Sequence, residues 1–207
     1  ELRDTLASGA RELGLALDDA QLDRLLALVA LLGEWNARFN LTAIREPLDV
    51  VRKHLLDSLT VQPWLRGPFV VDVGTGAGFP GIPLGIANPA LRFTLLDATQ
   101  KKIRFVAHAA QQPGVANVSA GATRAGDWQP AHRARSGLSR APATGPRVVG
   151  QAGHLCAQHG RLLAMKGRDP AAELVELPAG WRVAGVPRLR VPGLADERHL
   201  VILERSR

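Results

Sequence analysis

The chain has 207 residues, 46% of them hydrophobic, with one cysteine and a formal net charge of +7. That length and apolar content suit a globular protein that buries a full core, as one domain or a domain with a substantial extension, and exclude a disordered chain. A single cysteine excludes a disulfide framework and any cysteine-rich zinc or iron–sulfur site, and no apolar run approaches the roughly 18 residues of a membrane span.

No secretory signal opens the chain, so a cytoplasmic protein with no membrane partner is expected. His154 and His159 flank Cys156, but three such residues in one local run make a poor metal site, and none is expected. The charge is uneven: residues 1–66 hold 10 acids and 8 bases, whereas residues 67–207 hold 9 acids and 18 bases. A basic second part is the electrostatic footprint of a chain that approaches a phosphate backbone.

The first third reads as helices. Asp18 with Gln21 three residues later makes a partial capping box, and Leu22, Leu25, Leu26, Val29 and Leu32 recur at helical spacing up to Trp35. Asn36, Asn40 and Thr42 then break the pattern. Pro47 suits the first turn of another helix, whose inner stripe is Leu48, Val51, Leu55 and Leu59. His54 and Asp57 lie three apart, hence on one face. They either form a structural hydrogen bond or line a cleft.

From Phe69 onward strands and helices alternate. The run FVVDVGTGAGFPG at 69–81 is an apolar strand that ends in Gly74, Gly76 and Gly78. Such a strand running into a glycine-rich turn is how a buried parallel strand hands over to a crossover helix, and the glycines let the backbone approach a ligand closely. The dinucleotide fingerprint spaces its glycines differently, and no Walker lysine follows. A carboxylate at Asp72 would repel a pyrophosphate and suits a ligand with an ammonium or sulfonium charge. Asp97 ends the next apolar run, FTLLD, 25 residues after Asp72. It then stands at the C-terminal end of the neighbouring strand, where it can accept from ribose hydroxyls. D-x-G-x-G-x-G plus the second acid resembles the S-adenosylmethionine site of class I methyltransferases.

The remaining expectations are a helix from about 82, a strand at 92–97, a helix at about 99–111 with Lys101, Lys102 and Arg104 on a solvated face, and a short strand near 115–118. A strand at Arg161–Met165 leads into Lys166, followed by a short helix around 171–177 and strands at about 181–190 and 199–204. Residues 121–150 fit poorly. They hold 5 Arg, 5 Gly, 3 Pro and 6 Ala with one acid, Asp127, and lack the unbroken apolar run of a buried parallel strand. A flexible basic loop is expected there.

Six segments together carry a family resemblance: NLTAI at 40–44, RKHLLDSL at 52–59, VDVGTGAGFPGIPLGI at 71–86, LLDATQKKIRF at 95–105, RLLAMKGR at 161–168 and DERHLVIL at 196–203. The chain resembles the RsmG (GidB) family over essentially its whole length. That resemblance implies a Rossmann-like class I methyltransferase fold: an α/β, mostly parallel, doubly wound sheet with an antiparallel last strand. It implies a helical extension at 1–66 and a methyltransferase domain at 67–207. The implied activity is transfer of a methyl group from S-adenosylmethionine to N7 of guanine 527 in 16S rRNA. The implied partner is that RNA or the small ribosomal subunit rather than DNA, met by a monomer.

Carried over by position, Asp72, Gly74, Thr75, Gly76, Gly78, Phe79, Asp97, Ala98 and Arg124 fall to the cofactor. Asn40, His54 and Asp57 match polar positions that flank the cleft. Arg140, in the S-R-A segment, and Lys166, after the fifth strand, are the candidates to meet RNA phosphate or the target base. Departures from the family pattern cluster in 120–150: Ala125-Gly126 stand where the family places a glutamate near the adenine, and RARSGL at 133–138 stands where it places an apolar strand with an Asp. Both flanks keep register, the pattern that a locally shifted reading frame or a sequence error leaves; resequencing the gene tests it. A cofactor-binding but non-catalytic RNA-binding relative is the alternative that these departures raise.

Guanine N7 carries a free electron pair and no proton, so its methylation needs no general base. Positioning and desolvation would carry most of the catalysis. Recognition of an unstacked loop base by shape and backbone suits a ribosomal target.

Overall fold

The computed structural model describes residues 1–140, 142–168 and 176–207. Two helices open the chain, α1 (Leu2–Glu12) and α2 (Asp19–Phe39). The capping box at the start of α2 is complete. Asp18 accepts from the Gln21 backbone N–H at 2.7 Å, and the Gln21 side chain accepts from the Asp18 N–H at 2.9 Å. The helix runs past Trp35 to Phe39 and stops at Asn40, which takes a left-handed conformation with φ 49°. Leu26 is half-buried rather than core, and Leu28 takes its place beside Leu22, Leu25, Val29 and Leu32.

The segment that begins at Pro47 is one continuous helical run of three geometries: α3 (Pro47–Val50), a π-turn (Val51–Leu56) and α4 (Asp57–Leu59). The wider turn shifts the inward face, so Val50, Leu56 and the polar His54, Asp57 and Ser58 are buried along with Val51, Leu55 and Leu59, while Leu48 is only half-buried. π-turns inside helices occur often at functional sites.

The sheet follows: β1 (Phe69–Val73), β2 (Arg92–Asp97), β3 (Val118–Ala122), β4 (Ala134–Ser139), β5 (Cys156–Lys166), β6 (Trp181–Gly185), β7 (Arg188–Leu189) and β8 (Arg198–Arg205). Helices α5 (Gly81–Ala87), α6 (Gln100–Ala110) and α7 (Gly145–Ala152) connect them. The order across the sheet is β3-β2-β1-β4-β5-β8-β6, with β7 beside β8. Strands β1 to β5 pair in parallel, whereas β8 runs antiparallel to both β5 and β6. This is the expected doubly wound arrangement with one reversed strand. Its order reverses between β1 and β4, and ligands bind at the C-terminal ends of the strands at such a switch point.

One face of the sheet carries a single apolar cluster. Leu6, Leu25 and Leu55 share it with Phe93, Leu138 and Leu200, so the N-terminal helices and the sheet bury one another. Gln21 adds a polar tie, donating to the Ile86 carbonyl of α5 at 3.2 Å. On the other face Val71, Leu96, Leu162 and Leu203 pack under α7.

Three expectations need correction. The strand expected near 115–118 starts at Val118, because the chain turns through Gly114 (φ 80°) first. The strand expected over 181–190 breaks into β6 and β7 around Pro187, which has no N–H to give to a ladder. The helix expected around 171–177 falls at 171–175 on residues outside those described.

The largest correction concerns residues 121–150, which are not a loop. They supply the end of β3, all of β4 and most of α7, and β4 occupies the centre of the sheet between β1 and β5. No apolar run was needed because the strand is built from small residues. Ser136 is fully buried, and its hydroxyl accepts from the Arg66 N–H and donates to the Arg66 carbonyl, each at 2.7 Å. A Cβ on Gly137 would stand 2.6 Å from Leu162, so the neighbouring strand's leucine occupies that space.

Candidate active site

Asp72, near the end of β1, has no solvent exposure. Its Oδ2 accepts from the Thr75 hydroxyl at 2.7 Å and from the Gly81 N–H at 2.9 Å, while Oδ1 is buried without a partner among the described residues. Burial pushes its pKa up to about 7, against the opposing pull of those two hydrogen bonds. The Phe-Pro-Gly extension of the glycine loop now has a reason. Gly81 brings its N–H onto Asp72, and a Cβ there would lie 2.6 Å from Leu95 and 2.8 Å from Asp72 Oδ2.

Asp97 closes β2 and holds the loop from the other side. It accepts from the Gly76 N–H and from the Thr99 N–H, both at 2.8 Å. A carboxylate offers about four lone-pair directions, so two remain for other donors. Gly76 itself has φ 61° and, among the described residues, nothing within 4 Å of where a Cβ would point. Gly74 is exposed, Thr75 and Gly78 are buried, and Ala98 and Arg124 are exposed just beyond the ends of β2 and β3.

A cationic ligand with a ribose fits these residues. The orphaned Asp72 oxygen wants a donor or a positive charge, the space over Gly76 is open, and Asp97 can accept from hydroxyls. The donor set therefore suits S-adenosylmethionine, with the glycine loop as its floor.

Phe79 is buried and does not present an open stacking face. Its ring lies on His54, with centroids 4.4 Å apart and planes 6° from parallel. His54 uses both nitrogens: Nε2 is 2.9 Å from the Thr42 hydroxyl and Nδ1 is 3.3 Å from Arg140 Nη1. Arginine can only donate, so Nδ1 accepts and Nε2–H donates to Thr42. Burial first, and then the Arg140 charge, lower the imidazole to about 3. It stays neutral and is no general base.

His54 and Asp57 do not bond to one another; Arg140 joins them. Its Nη2 donates to the Lys53 carbonyl at 3.0 Å and lies 3.1 Å from Asp57 Oδ2, an ion pair whose angles are too oblique for a hydrogen bond. Asp57 Oδ1 accepts from Arg198 Nε at 3.0 Å. Desolvation raises the Asp57 pKa, and the two arginines pull it back.

Lys166, at the end of β5, donates from Nζ to the Ala143 carbonyl. Asn40 caps α2 and accepts from Arg45 at 2.7 Å; it is exposed. Sequence reasoning missed Thr42 and Arg198 as members of this network. Arg198 carried a signal all the same: it lies in DERHLVIL, and the next residue, His199, stands opposite Lys166 in the β5–β8 register. Cys156 is buried, with its thiol pushed up to about 11, and takes no part.

Comparison with known proteins agrees with this geometry. The family model described as GidB, rRNA small subunit methyltransferase G, matches residues 21–201. Ribosomal RNA small subunit methyltransferase G of Stenotrophomonas maltophilia (strain K279a) is 47% identical over 197 residues, 95% of this chain and 92% of its own length. The protein of that name from Nitrosococcus oceani is 44% identical over 202 residues, 98% of this chain and 94% of its own. Among solved structures, TrmN from Thermus thermophilus superposes with a TM-score of 0.60 at 19% identity, covering 89% of this chain and 53% of that one. The glycopeptide N-methyltransferase MtfA complexed with S-adenosylhomocysteine gives 0.60 at 10% identity, covering 74% and 87%. These two likenesses establish the fold alone. With a family match that spans the cofactor loop, the buried polar network and the first half of β8, and with relatives matched nearly end to end, this chain belongs to the GidB family of rRNA small subunit methyltransferases.

Proposed function

We propose that the chain transfers a methyl group from S-adenosylmethionine to N7 of guanine 527 in the 16S rRNA of the small ribosomal subunit. The observation that carries this reading is an intact cofactor cradle, Asp72, Gly76 and Asp97, inside a chain that belongs to the family from end to end. When bound, S-adenosylmethionine supplies a methyl group on a positively charged sulfur. Asp72 and the glycine loop Gly74, Thr75, Gly76 and Gly78 hold its methionine end. Asp97 takes the ribose, with Ala98 and Arg124 beside the adenine, and Phe79 supports the loop from below.

The nucleophile needs no deprotonation, and His54, neutral and hydrogen-bonded through both nitrogens, does not supply a base. What the residues do is position. Lys166 and Arg140 stand at the C-terminal ends of β5 and β4, beside the cofactor loop, where cations can hold phosphate and donate to guanine O6. β4 and α7 in their places support a working enzyme over a non-catalytic relative. Bacterial ribosomes are cytoplasmic, and the enzyme works there.

The test is methyl transfer from labelled S-adenosylmethionine to 16S rRNA from cells that lack the endogenous enzyme, with the modified base mapped. N7-methylguanine at one site in the decoding-region loop is expected. Cofactor binding with no methylation of RNA or whole subunits overturns the reading.

A further inference from the structure

Three segments far apart in sequence meet at one carboxylate. Asp57 opens α4, Arg140 directly follows β4, and Arg198 opens β8. Ser139, the residue before Arg140, pairs with Val73 at the mouth of the glycine loop, and Arg198 lies next to His199, the partner of Lys166. Both arginines therefore stand at the C-terminal edge of the sheet, on either side of β5. The Asp57 side chain is 1% exposed, and each of its oxygens faces one guanidinium, at 3.1 Å and 3.0 Å. The arginine side chains are 26% and 23% exposed, so each keeps a solvent-facing part.

The buried charges do not balance: one buried carboxylate faces two arginines, and the second acid, Asp196, is exposed and 3.8 Å from Arg198. Burying such a group costs desolvation energy that an apolar trio of the same volume would avoid, so it is a poor device for stability alone. The two arginines are also held unequally. Among the described residues Arg140 has three partners, His54, Lys53 and Asp57. Arg198 gives Nε to Asp57 and Nη1 to the Glu197 carbonyl, while among the described residues Nη2 has only the exposed Asp196 at 3.8 Å. Asp57 thus fixes the inner edge of Arg198 and leaves its outer edge for an anion.

We propose that Asp57 is a positioning residue of the RNA-binding edge: it sets Arg140 and Arg198 side by side at the mouth of the cofactor site and withholds half their charge from RNA that is not in register. This rests on the rRNA methyltransferase reading. Asp57 acts only through the arginines and touches neither cofactor nor base. Its removal should therefore separate binding from turnover. Two freed arginines attract phosphate more strongly, yet no longer aim it.

The test is Asp57→Asn, which keeps the shape and one acceptor. Expected is a fall in kcat of roughly 10- to 100-fold, the scale of a small misplacement, with S-adenosylmethionine affinity within twofold of wild type. Affinity for the target RNA fragment should be unchanged or tighter, and its logarithmic salt dependence steeper by about 0.7, one more phosphate contact on a single strand. A structural role predicts instead that cofactor affinity, RNA affinity and thermal stability all fall with kcat, and that pattern sinks the proposal, as does unchanged turnover. Arg198→Gln, at a partly exposed site, provides a second route. The cost of Asp57→Asn should shrink in its background, and additive costs overturn the idea. If wild type transfers no methyl to 16S rRNA, the functional reading fails, while the salt dependence of RNA binding still decides on Asp57.

Discussion

His54 lies flat on Phe79, 4.4 Å between ring centroids, and so ties the helical run that begins at Pro47 to the far end of the cofactor loop. An aromatic pair of this kind contributes about 0.5–1.5 kcal/mol beyond its buried area. His54→Phe keeps the stack and loses both polar ties, whereas His54→Ala loses everything. His54→Phe should retain cofactor affinity within a few-fold and lose turnover through Arg140; His54→Ala should lose both. Calorimetric titration with S-adenosylmethionine beside a methyl-transfer assay checks the split, and equal losses in the two variants would show that the stack does not support the loop.

His54 and Asp72 respond to acid in opposite directions. The folded imidazole stays neutral down to about 3 while the unfolded one takes a proton near 6.5, so lowering the pH through 6.5 favours unfolding. Asp72 takes its proton at about 7 in the folded chain and near 3.8 when unfolded, so lowering the pH between those values favours folding. In wild type the two largely offset one another from pH 6.5 to 3.8. Asp72→Asn removes one side only. Its stability in urea titrations should fall more steeply than that of wild type as the pH drops from 6.5; parallel curves would refute the opposition.

Gly76 and Gly81 offer a contrast within one loop. Ala at 76 meets no atom within 4 Å, and its positive φ costs roughly 1–2 kcal/mol, so Gly76→Ala should fold. Its methyl group would fill the space meant for cofactor, and binding should be lost. Ala at 81 strikes Leu95 and Asp72, so Gly81→Ala should lower the melting temperature as well. Thermal scans with and without S-adenosylmethionine distinguish the two: a ligand-induced rise in Gly76→Ala counts against the cradle as drawn.

Ser136→Ala tests the central strand. It removes both hydrogen bonds to the backbone N–H and carbonyl of Arg66, itself an exposed residue, and each such bond contributes about 0.5–1.5 kcal/mol. Denaturant midpoints should shift by that order, with no change in the cofactor affinity of the folded fraction. A neutral substitution would mean that water reaches this junction.

The glycine loop, its two acids and the alternation around them were legible because each rests on local rules: an apolar run, a turn that only glycine makes, a cap. β4 was not, because its place depends on what its neighbours lack. Ser136 and Gly137 read as loop residues until Arg66 and Leu162 are set beside them, 70 and 25 residues away. Arg140 was singled out for RNA, yet its tie to His54 and Asp57 crosses more than 80 residues and follows no periodicity. Phe79 was placed next to the right glycines, but only the π-turn reveals that His54, and not a ligand, covers its face.

β8 comes last in sequence among the described strands yet lies inside the sheet, between β5 and β6. A product broken off between β5 and β8, after residue 166 and before residue 198, would keep the whole cofactor loop and look like a methyltransferase to any motif search. It would also carry the naked flank of β5, from Arg161 to Lys166, open to pairing with other chains. Asp57 would be left with a single guanidinium. Such fragments should clump and be degraded rather than compete for ribosomes, so premature termination in this gene should act as simple loss of the protein and not as poisoning of its substrate.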